Sequence, residues 1–232
     1  MSVNHPQTIR PLLLVDGTAP TLDVTVLDTL AGLILNAGCS DETLASLACL
    51  EGRDFAMLAR VEAAEQPDED GLCRLLAAGI DGVVLSGCRS RADIQKLDVM
   101  LGVAEARTGI ATNRTRIYAE YGSAPEGLLS PHRLAEASQR LEGLIFDGRV
   151  LARAVGCKEP ARAPHQGVAA PVLVGRANVV LRAHEAGVPA FEVLPATADA
   201  AATRWALSQS RNDGFASVVY RSLEQAIIAS SE

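Results

Sequence analysis

Aromatic residues are scarce in this chain: Phe, Trp and Tyr make up 3% of its 232 residues, although 48% of the residues are hydrophobic. A core must therefore be built mainly from Ala, Leu and Val. That composition suits helices packed on a parallel sheet better than an all-β sandwich, which relies on aromatic and β-branched side chains. The length allows one large α/β domain or two small ones.

A basic surface is also missing. The formal net charge is −7, and no run of basic residues interrupts the sequence. The lack of basic runs and of aromatic platforms on which bases could stack argues against a nucleic-acid partner. The chain further lacks an N-terminal apolar segment of signal-peptide length and any run long enough to cross a membrane. We therefore expect a soluble cytoplasmic protein with no membrane partner.

The five cysteines show no paired spacing and no Cys-x-x-Cys motif. An odd, scattered set is typical of reduced thiols in a cytoplasmic protein. Cys88 alone lies just beyond a predicted strand end, where a nucleophile could act, but no histidine stands beside it in the sequence. A nucleophilic role for Cys88 is therefore not favoured, and the other four cysteines are interpreted as small buried hydrophobic residues.

Short apolar runs recur along the chain, and most are separated by helix-like segments. Such runs are typical of buried parallel strands. Seven of them stop at a polar residue: Asp28, Arg60, Ser86, Glu120, Asp147, Glu192 and Tyr220. In a β/α barrel the strand ends meet on the one face that carries the chemistry. The pattern therefore predicts a single polar pocket at that face.

The alternation predicts an α/β protein with a TIM-type (β/α)8 barrel over residues 11–232, preceded by a lead-in of residues 1–10. Predicted helices cover residues 41–48, 68–78, 90–101, 130–141, 178–186, 197–212 and 222–230, and residues 158–171 are predicted to be a loop. Between the first strand, at residues 12–15, and a second predicted at 24–27, Thr18-Ala19-Pro20 is too short for a crossover helix. We therefore expect a modified barrel with a shortened first β/α unit, its helix missing.

Segments of the chain from about Arg10 to Gln225 match, in order and spacing but at low identity, the motifs of one family. Leu12–Gly17 resembles L-L-F-V-P-G, Asp23–Asp28 resembles D-A-V-I-L-D, Ala59–Glu62 resembles the R-I-N segment, Asp81–Leu85 resembles D-G-V-V-L-P-K, Ile117–Glu120 resembles I-E-T, and Gly143–Phe146 resembles G-L-x-F-G-x-x-D. These are motifs of the citrate lyase β-subunit-like group of the HpcH/HpaI aldolase superfamily. The resemblance implies a modified barrel that breaks or makes carbon–carbon bonds in an oxo-acid or an acyl-CoA thioester.

The resemblance also implies roles for individual residues. Glu120 and the aspartate of the last motif would hold Mg²⁺, a hard cation that prefers a few carboxylates and acts as a Lewis acid. Arg60 would grip a substrate carboxylate through two parallel hydrogen bonds, which makes Arg60 and Glu120 the candidate catalytic residues. Asp28 and Ser86, as further strand-end residues, are predicted to contact the substrate. CoA would enter only as part of that substrate.

Several pocket positions depart from the family pattern. Counted from Phe146, the metal-binding aspartate falls on Val150, and Asp147 stands three residues early. Asp147 is the candidate second Mg²⁺ ligand if the strand end is shifted; otherwise Arg60 and Glu120 pair with each other. Two functions therefore stay open. One is a lyase or aldolase with an eroded Mg²⁺ site, and the other is a catalytically silent subunit or ligand-binding partner of an active paralogue. The resemblance further implies a homo-oligomer, a trimer or a hexamer.

Overall fold

The computed structural model describes residues 9–15, 24–48, 54–65, 68–159, 167–197 and 199–231. Within them, eight parallel strands close into a barrel in sequence order, and β8 pairs with β1. The strands are β1 Leu12–Val15, β2 Gly32–Asn36, β3 Ala56–Glu62, β4 Gly82–Cys88, β5 Arg116–Tyr121, β6 Leu141–Phe146, β7 Ala190–Val193 and β8 Ser217–Tyr220. The predicted (β/α)8 barrel is thereby confirmed.

Helices connect the strands on the outside of the barrel. They are α1 Val24–Leu27, α2 Asp41–Ala48, α3 Glu69–Ala77, α4 Arg91–Thr108, α5 Pro125–Leu129, α6 Gly148–Ala154, α7 Ala170–Ala186, α8 Ala200–Asn212 and α9 Leu223–Ser230. Polar side chains cap several of their first turns: Asp68 accepts the Gly71 N–H at 2.6 Å at the start of α3. None of the helices in the described ranges is long and apolar enough to span a membrane.

The second strand differs from the sequence prediction. Residues 24–27, predicted as a strand, form the one-turn helix α1, and the strand is Gly32–Asn36. A four-residue apolar run cannot by its periodicity distinguish a strand from a helical turn. Gly32 allows β2 to lie close to β3, because a Cβ there would come within 2.8 Å of the Ala56 carbonyl oxygen. The first β/α unit is indeed short, but its helix is present as one turn; residues 16–23 lie outside the described ranges.

Two helix predictions are also corrected, and two helices that were not predicted are present. Residues 130–140 form turns and irregular segments, in which Glu136 has a φ of 59° that a helix cannot accommodate. A helix, α5, begins instead at Pro125. Helix α6 was not predicted, and α7 starts at Ala170 instead of residue 178. In each case a short or Ala- and Gly-rich segment carries little periodicity of its own.

Alternate residues of each strand face opposite sides of the barrel wall. The barrel interior is filled by a small apolar cluster: Leu12, Ile34, Leu58, Val84, Ile145, Phe191, Val193 and Val219. A much larger apolar cluster lies between the barrel wall and the helices. Residues two positions beyond an interior residue share its face, so Arg60, Ser86 and Asp147 sit above the packed interior. This places them at the carboxyl-terminal mouth of the barrel.

Candidate active site

Arg60, Ser86 and Glu120 form one hydrogen-bonded network at this mouth. The Arg60 guanidinium donates from Nε to Glu120 Oε1 at 2.7 Å and from Nη2 to Oε2 at 2.9 Å. Arg60 Nη2 also donates to Ser86 Oγ at 2.6 Å, and Ser86 Oγ donates to Glu120 Oε2 at 2.8 Å. The fold therefore brings together three residues from three neighbouring strands, as the strand-end pattern predicted.

The network is buried on one side and open on the other. Ser86 is 3% exposed and Glu120 is 7% exposed, whereas the Arg60 side chain is 27% exposed. Glu62 approaches the open side of Arg60, with Oε1 at 3.4 Å from Nη1. The hydrogen bond to Glu120 raises the pKa of Arg60 above its ordinary value, and the charges of Glu62 and Asp147 raise it further. Arg60 is therefore permanently cationic at this mouth.

A cavity of about 440 Å³ adjoins the open side of Arg60. Its wall includes Asn36 from the end of β2, Glu62 and Glu65 after β3, and Arg74 of α3. Arg74 is already engaged, since it donates to Asp41 Oδ1 at 2.6 Å and to the Ala37 carbonyl at 2.6 Å. The volume suits a small metabolite, and Arg60 is the cation best placed to orient one.

Asp147 forms a second ion pair at the mouth, with Arg221. Asp147 Oδ1 accepts the backbone N–H of Arg149 at 3.0 Å and so caps α6, while Oδ2 accepts a hydrogen bond from Arg221 Nη2. Arg221 also donates from Nε to the Leu194 carbonyl at 3.0 Å. The sequence pattern pointed to Tyr220, which packs in the apolar layer outside the barrel wall. The signal for Arg221 was available, because the residue after an outward-facing strand end faces inward.

Asp28 lies at the opposite end of the barrel from this site. It follows α1 and precedes β2, and its carbonyl accepts a hydrogen bond from Arg10 Nη1 at 3.2 Å. Arg10 also binds Asp54, which precedes β3. The prediction that Asp28 contacts substrate beside Arg60 is therefore wrong, because it rested on the misplaced second strand. Asn36, the backbone partner of Arg60 in β3, stands where Asp28 was expected.

Two other strand-end candidates do not enter the pocket. Glu192 points outward to α7, where it pairs with Arg176, and burial raises its pKa to about 7 despite that pair. Cys88 is fully buried, and burial raises the pKa of its thiol to about 12. A protonated, inaccessible thiol is not a nucleophile at neutral pH, so Cys88 does not serve as one. Of the four cysteines expected to be buried, Cys39, Cys73 and Cys157 are only partly buried, and Cys49 lies outside the described residues.

The arrangement of Glu120 and Asp147 does not fit Mg²⁺. Both oxygens of Glu120 accept hydrogen bonds from Arg60, and both oxygens of Asp147 are taken by a backbone N–H and Arg221. Octahedral Mg²⁺ needs carboxylate oxygens that are free of such donors. Across the described ranges, moreover, no three His, Cys, Asp or Glu residues cluster in a way that could hold a metal ion. The observed pairing of Arg60 with Glu120 is the alternative that the sequence left open.

No protein-family model matches the chain, and no curated protein shows significant sequence similarity to it. Solved structures do share its fold. A citrate lyase from Burkholderia xenovorans matches with a TM-score of 0.74 at 16% identity, over 99% of this chain and 79% of that one. An HpcH/HpaI aldolase from Desulfitobacterium hafniense matches with a TM-score of 0.68 at 15% identity, over 97% and 90% of the two chains.

A third solved structure, the magnesium and glyoxylate complex of Haloferax volcanii malate synthase, has a TM-score of 0.75 at 13% identity and covers 98% of this chain and 76% of that one. The structural neighbours of this barrel thus include HpcH/HpaI aldolase and citrate lyase family proteins, as the sequence resemblance suggested. At these identities the likeness concerns the fold, because function depends on the residues of the site.

Proposed function

We propose that this protein is a carbon–carbon lyase of the HpcH/HpaI aldolase and citrate lyase β type, acting on an oxo-acid or an acyl-CoA thioester. The observation that carries the proposal is the Arg60–Ser86–Glu120 network, which lies at the carboxyl-terminal mouth of the barrel beside a cavity of about 440 Å³. This is the face on which barrel enzymes of this architecture carry their chemistry. The lyases and aldolases among the structural neighbours support the same class.

Arg60 has the geometry to bind the substrate carboxylate. Its planar fork already holds one carboxylate, that of Glu120, through two parallel hydrogen bonds. A substrate carboxylate entering from the cavity would take over that fork. Glu120 would then keep the hydrogen bond from Ser86 Oγ but lose its counterion. A buried carboxylate without a counterion is a better proton acceptor, so Glu120 is the proposed general base.

The proposed cleavage balances with these two residues. Glu120 removes the proton of a substrate hydroxyl, the adjacent carbon–carbon bond breaks, and the hydroxyl carbon becomes a carbonyl. The electron pair of the broken bond passes into an enolate, whose charge the Arg60 guanidinium stabilises. The proton on Glu120 then returns to the enolate carbon. No step uses Mg²⁺, because the two candidate ligands, Glu120 and Asp147, are bound by arginines.

Isothermal calorimetry with oxaloacetate and pyruvate, with and without Mg²⁺, tests the proposal. We expect Arg60→Gln to weaken binding by about 10- to 100-fold, since a charge-assisted hydrogen-bonded pair contributes roughly 1.5–3 kcal/mol. Arg74→Gln is the matched control, because Arg74 lines the same cavity but is held by Asp41. Oxaloacetate and pyruvate have no hydroxyl and serve here as binding probes. Cleavage is followed on a hydroxy-substituted oxo-acid or acyl-CoA thioester, by release of the smaller oxo-acid. Equal binding by wild type and Arg60→Gln would contradict the proposal, and Mg²⁺ binding that depends on Glu120 would restore the metal-dependent reading.

A second candidate function is a catalytically silent subunit or ligand-binding partner of an active paralogue. The observation that favours it is that Glu120 and Asp147, the two candidate carboxylates at the mouth, are both paired with arginines. Ligand binding that depends on Arg60, without any cleavage, is the result that identifies this function. Assembly as a homo-oligomer, a trimer or a hexamer, and a cytoplasmic location stay predictions; light scattering on the purified protein measures the first.

A further inference from the structure

A second, smaller cleft opens at the same end of the barrel, around the ends of β6, β7 and β8. Its wall includes Asp147, Arg149, Glu159, Glu192, Pro195 and Arg221. The cleft has a volume of about 20 Å³. That is enough for one small polar group, but not for a whole metabolite.

The carboxylates of this cleft are all bound by arginines. Asp147 pairs with Arg221, and Glu192 pairs with Arg176 of α7. Glu159 pairs with Arg153 of α6, with Oε1 at 3.0 Å from Nε. The acidic side chains of the cleft are thereby neutralised by partners of their own.

Arg149 is the exception among the charged residues of the cleft. Within the described part of the chain its side chain has neither an ion pair nor a hydrogen bond, and its Nε is shielded from solvent without an acceptor. A buried donor without a partner destabilises the protein, and more strongly when the group is charged. The Nε and one Nη of a guanidinium form a fork that matches the two oxygens of a carboxylate or phosphate. The cleft therefore contains one unpaired cation, Arg149, and no free carboxylate among its described wall residues to bind it.

The cleft is electrostatically connected to the Arg60 site. Asp147 lines the cleft, and its negative charge also contributes to the raised pKa of Arg60. The cleft and the Arg60 site therefore share the mouth of the barrel, and the charge of Asp147 acts on both.

We propose that Arg149, with Arg221 at its rim, is an oxyanion subsite for a second anionic group of the ligand whose carboxylate binds Arg60. This inference rests on the proposed function. The group is a carboxylate or a phosphate, and the two sources are a dicarboxylic oxo-acid and the CoA portion of a thioester. Arg149 is then the residue that sets specificity for a dianion.

The test compares oxaloacetate with pyruvate, which lacks the second carboxylate, and with free CoA, by calorimetry. For a second carboxylate, we expect wild type to bind oxaloacetate at least about 10-fold more tightly than pyruvate, as one charged hydrogen-bonded contact would give. Arg149→Gln should abolish that advantage and leave pyruvate binding unchanged, and Arg149→Lys should retain part of it. Arg211→Gln is the control, because Arg211 is an exposed arginine of α8 outside the cleft.

The outcomes separate the two sources and the two proposals. Weaker CoA binding in Arg149→Gln, with oxaloacetate binding unchanged, would identify the group as phosphate. Inorganic phosphate, used alone in thermal unfolding, should stabilise wild type more than Arg149→Gln; if it does while Arg60→Gln binds pyruvate normally, the subsite stands and the proposed function fails. Identical binding of oxaloacetate, CoA and phosphate by wild type and Arg149→Gln would overturn the subsite.

Discussion

Two arginine–carboxylate networks in this barrel have nearly the same geometry and different surroundings. At the mouth, Arg60 holds both oxygens of Glu120, at 2.7 and 2.9 Å. In the helix layer, Arg140 holds both oxygens of Glu105 of α4, at 2.6 and 2.8 Å. Arg140 completes its fork by donating from Nε to Asp98 at 2.7 Å.

The difference lies in what remains open. Arg140 and Glu105 are 2% and 1% exposed, and the Thr115 and Asn113 N–H groups also donate to Glu105, at 2.8 and 2.9 Å. Their network ties α4 to the segments that precede β5 and β6. Arg60 keeps an exposed side toward a cavity. A bidentate arginine–carboxylate pair alone thus does not indicate a binding site. It does so when a ligand can reach the arginine and replace the carboxylate.

The largest expected effect comes from breaking the enclosed network. Glu105→Gln should lower the free energy of unfolding by about 3–5 kcal/mol, because Arg140 would keep its charge in a buried place with only Asp98 to balance it. Urea denaturation measures the loss. The matched control is Asp54→Asn, which breaks the exposed pair with Arg10 and should cost less than about 1 kcal/mol. Equal costs for the two variants would remove the distinction between enclosed and open networks.

The Glu192–Arg176 pair provides an intermediate case that responds to pH. Burial raises the pKa of Glu192 to about 7 from its ordinary value of 4.5, so in this interval the folded protein binds a proton that the unfolded chain releases. The contribution of protonated Glu192 to the free energy of unfolding is therefore fully present below pH 4.5 and is lost as the pH rises through about 7. Between about pH 5 and about pH 8, we expect wild type to lose on the order of 2 kcal/mol more than Glu192→Gln.

Urea denaturation of both proteins at the two pH values measures that difference. Glu142→Gln serves as a control, because Glu142 is half-exposed and its nearest guanidinium, that of Arg116, is 3.7 Å away. Parallel pH profiles for wild type and Glu192→Gln would show that Glu192 ionises like an ordinary surface carboxyl.

The smallest expected effect sharpens the comparison at the mouth. Ser86→Ala removes the hydroxyl that joins Arg60 to Glu120 but leaves their two direct hydrogen bonds in place. We expect a loss of about 1 kcal/mol in stability, the typical contribution of a single hydrogen bond. Ligand binding through Arg60 should weaken by less than about 10-fold. A loss of binding as large as that in Arg60→Gln would mean that Ser86 itself contacts the ligand.

The strand-end pattern was sufficient to find most of the candidate site. Arg60, Ser86 and Glu120 were predicted to share a pocket because each follows a buried apolar run, and parallel strands of one barrel end on the same face. The same reasoning misplaced Asp28, since residues 24–27 are as compatible with a helical turn as with a strand. The same reasoning selected Tyr220 instead of its neighbour Arg221. Tyr220 is still part of the buried apolar layer, and the side chain that reaches the mouth is the next one along the chain.

The sequence by itself determined the architecture of this protein, its acidic character and the polar residues that end its strands, because periodicity and charge are local properties of the chain. Only the tertiary structure decided how those residues pair. Glu120 was predicted as a metal ligand, yet it holds Arg60, from a strand 60 residues away. Asp147 holds Arg221, 74 residues away, and the Arg149 side chain has no partner among the residues that the structure describes. The closure of the barrel decides which charged side chains pair. The number of residues between two side chains in the sequence does not reveal how close they lie in space.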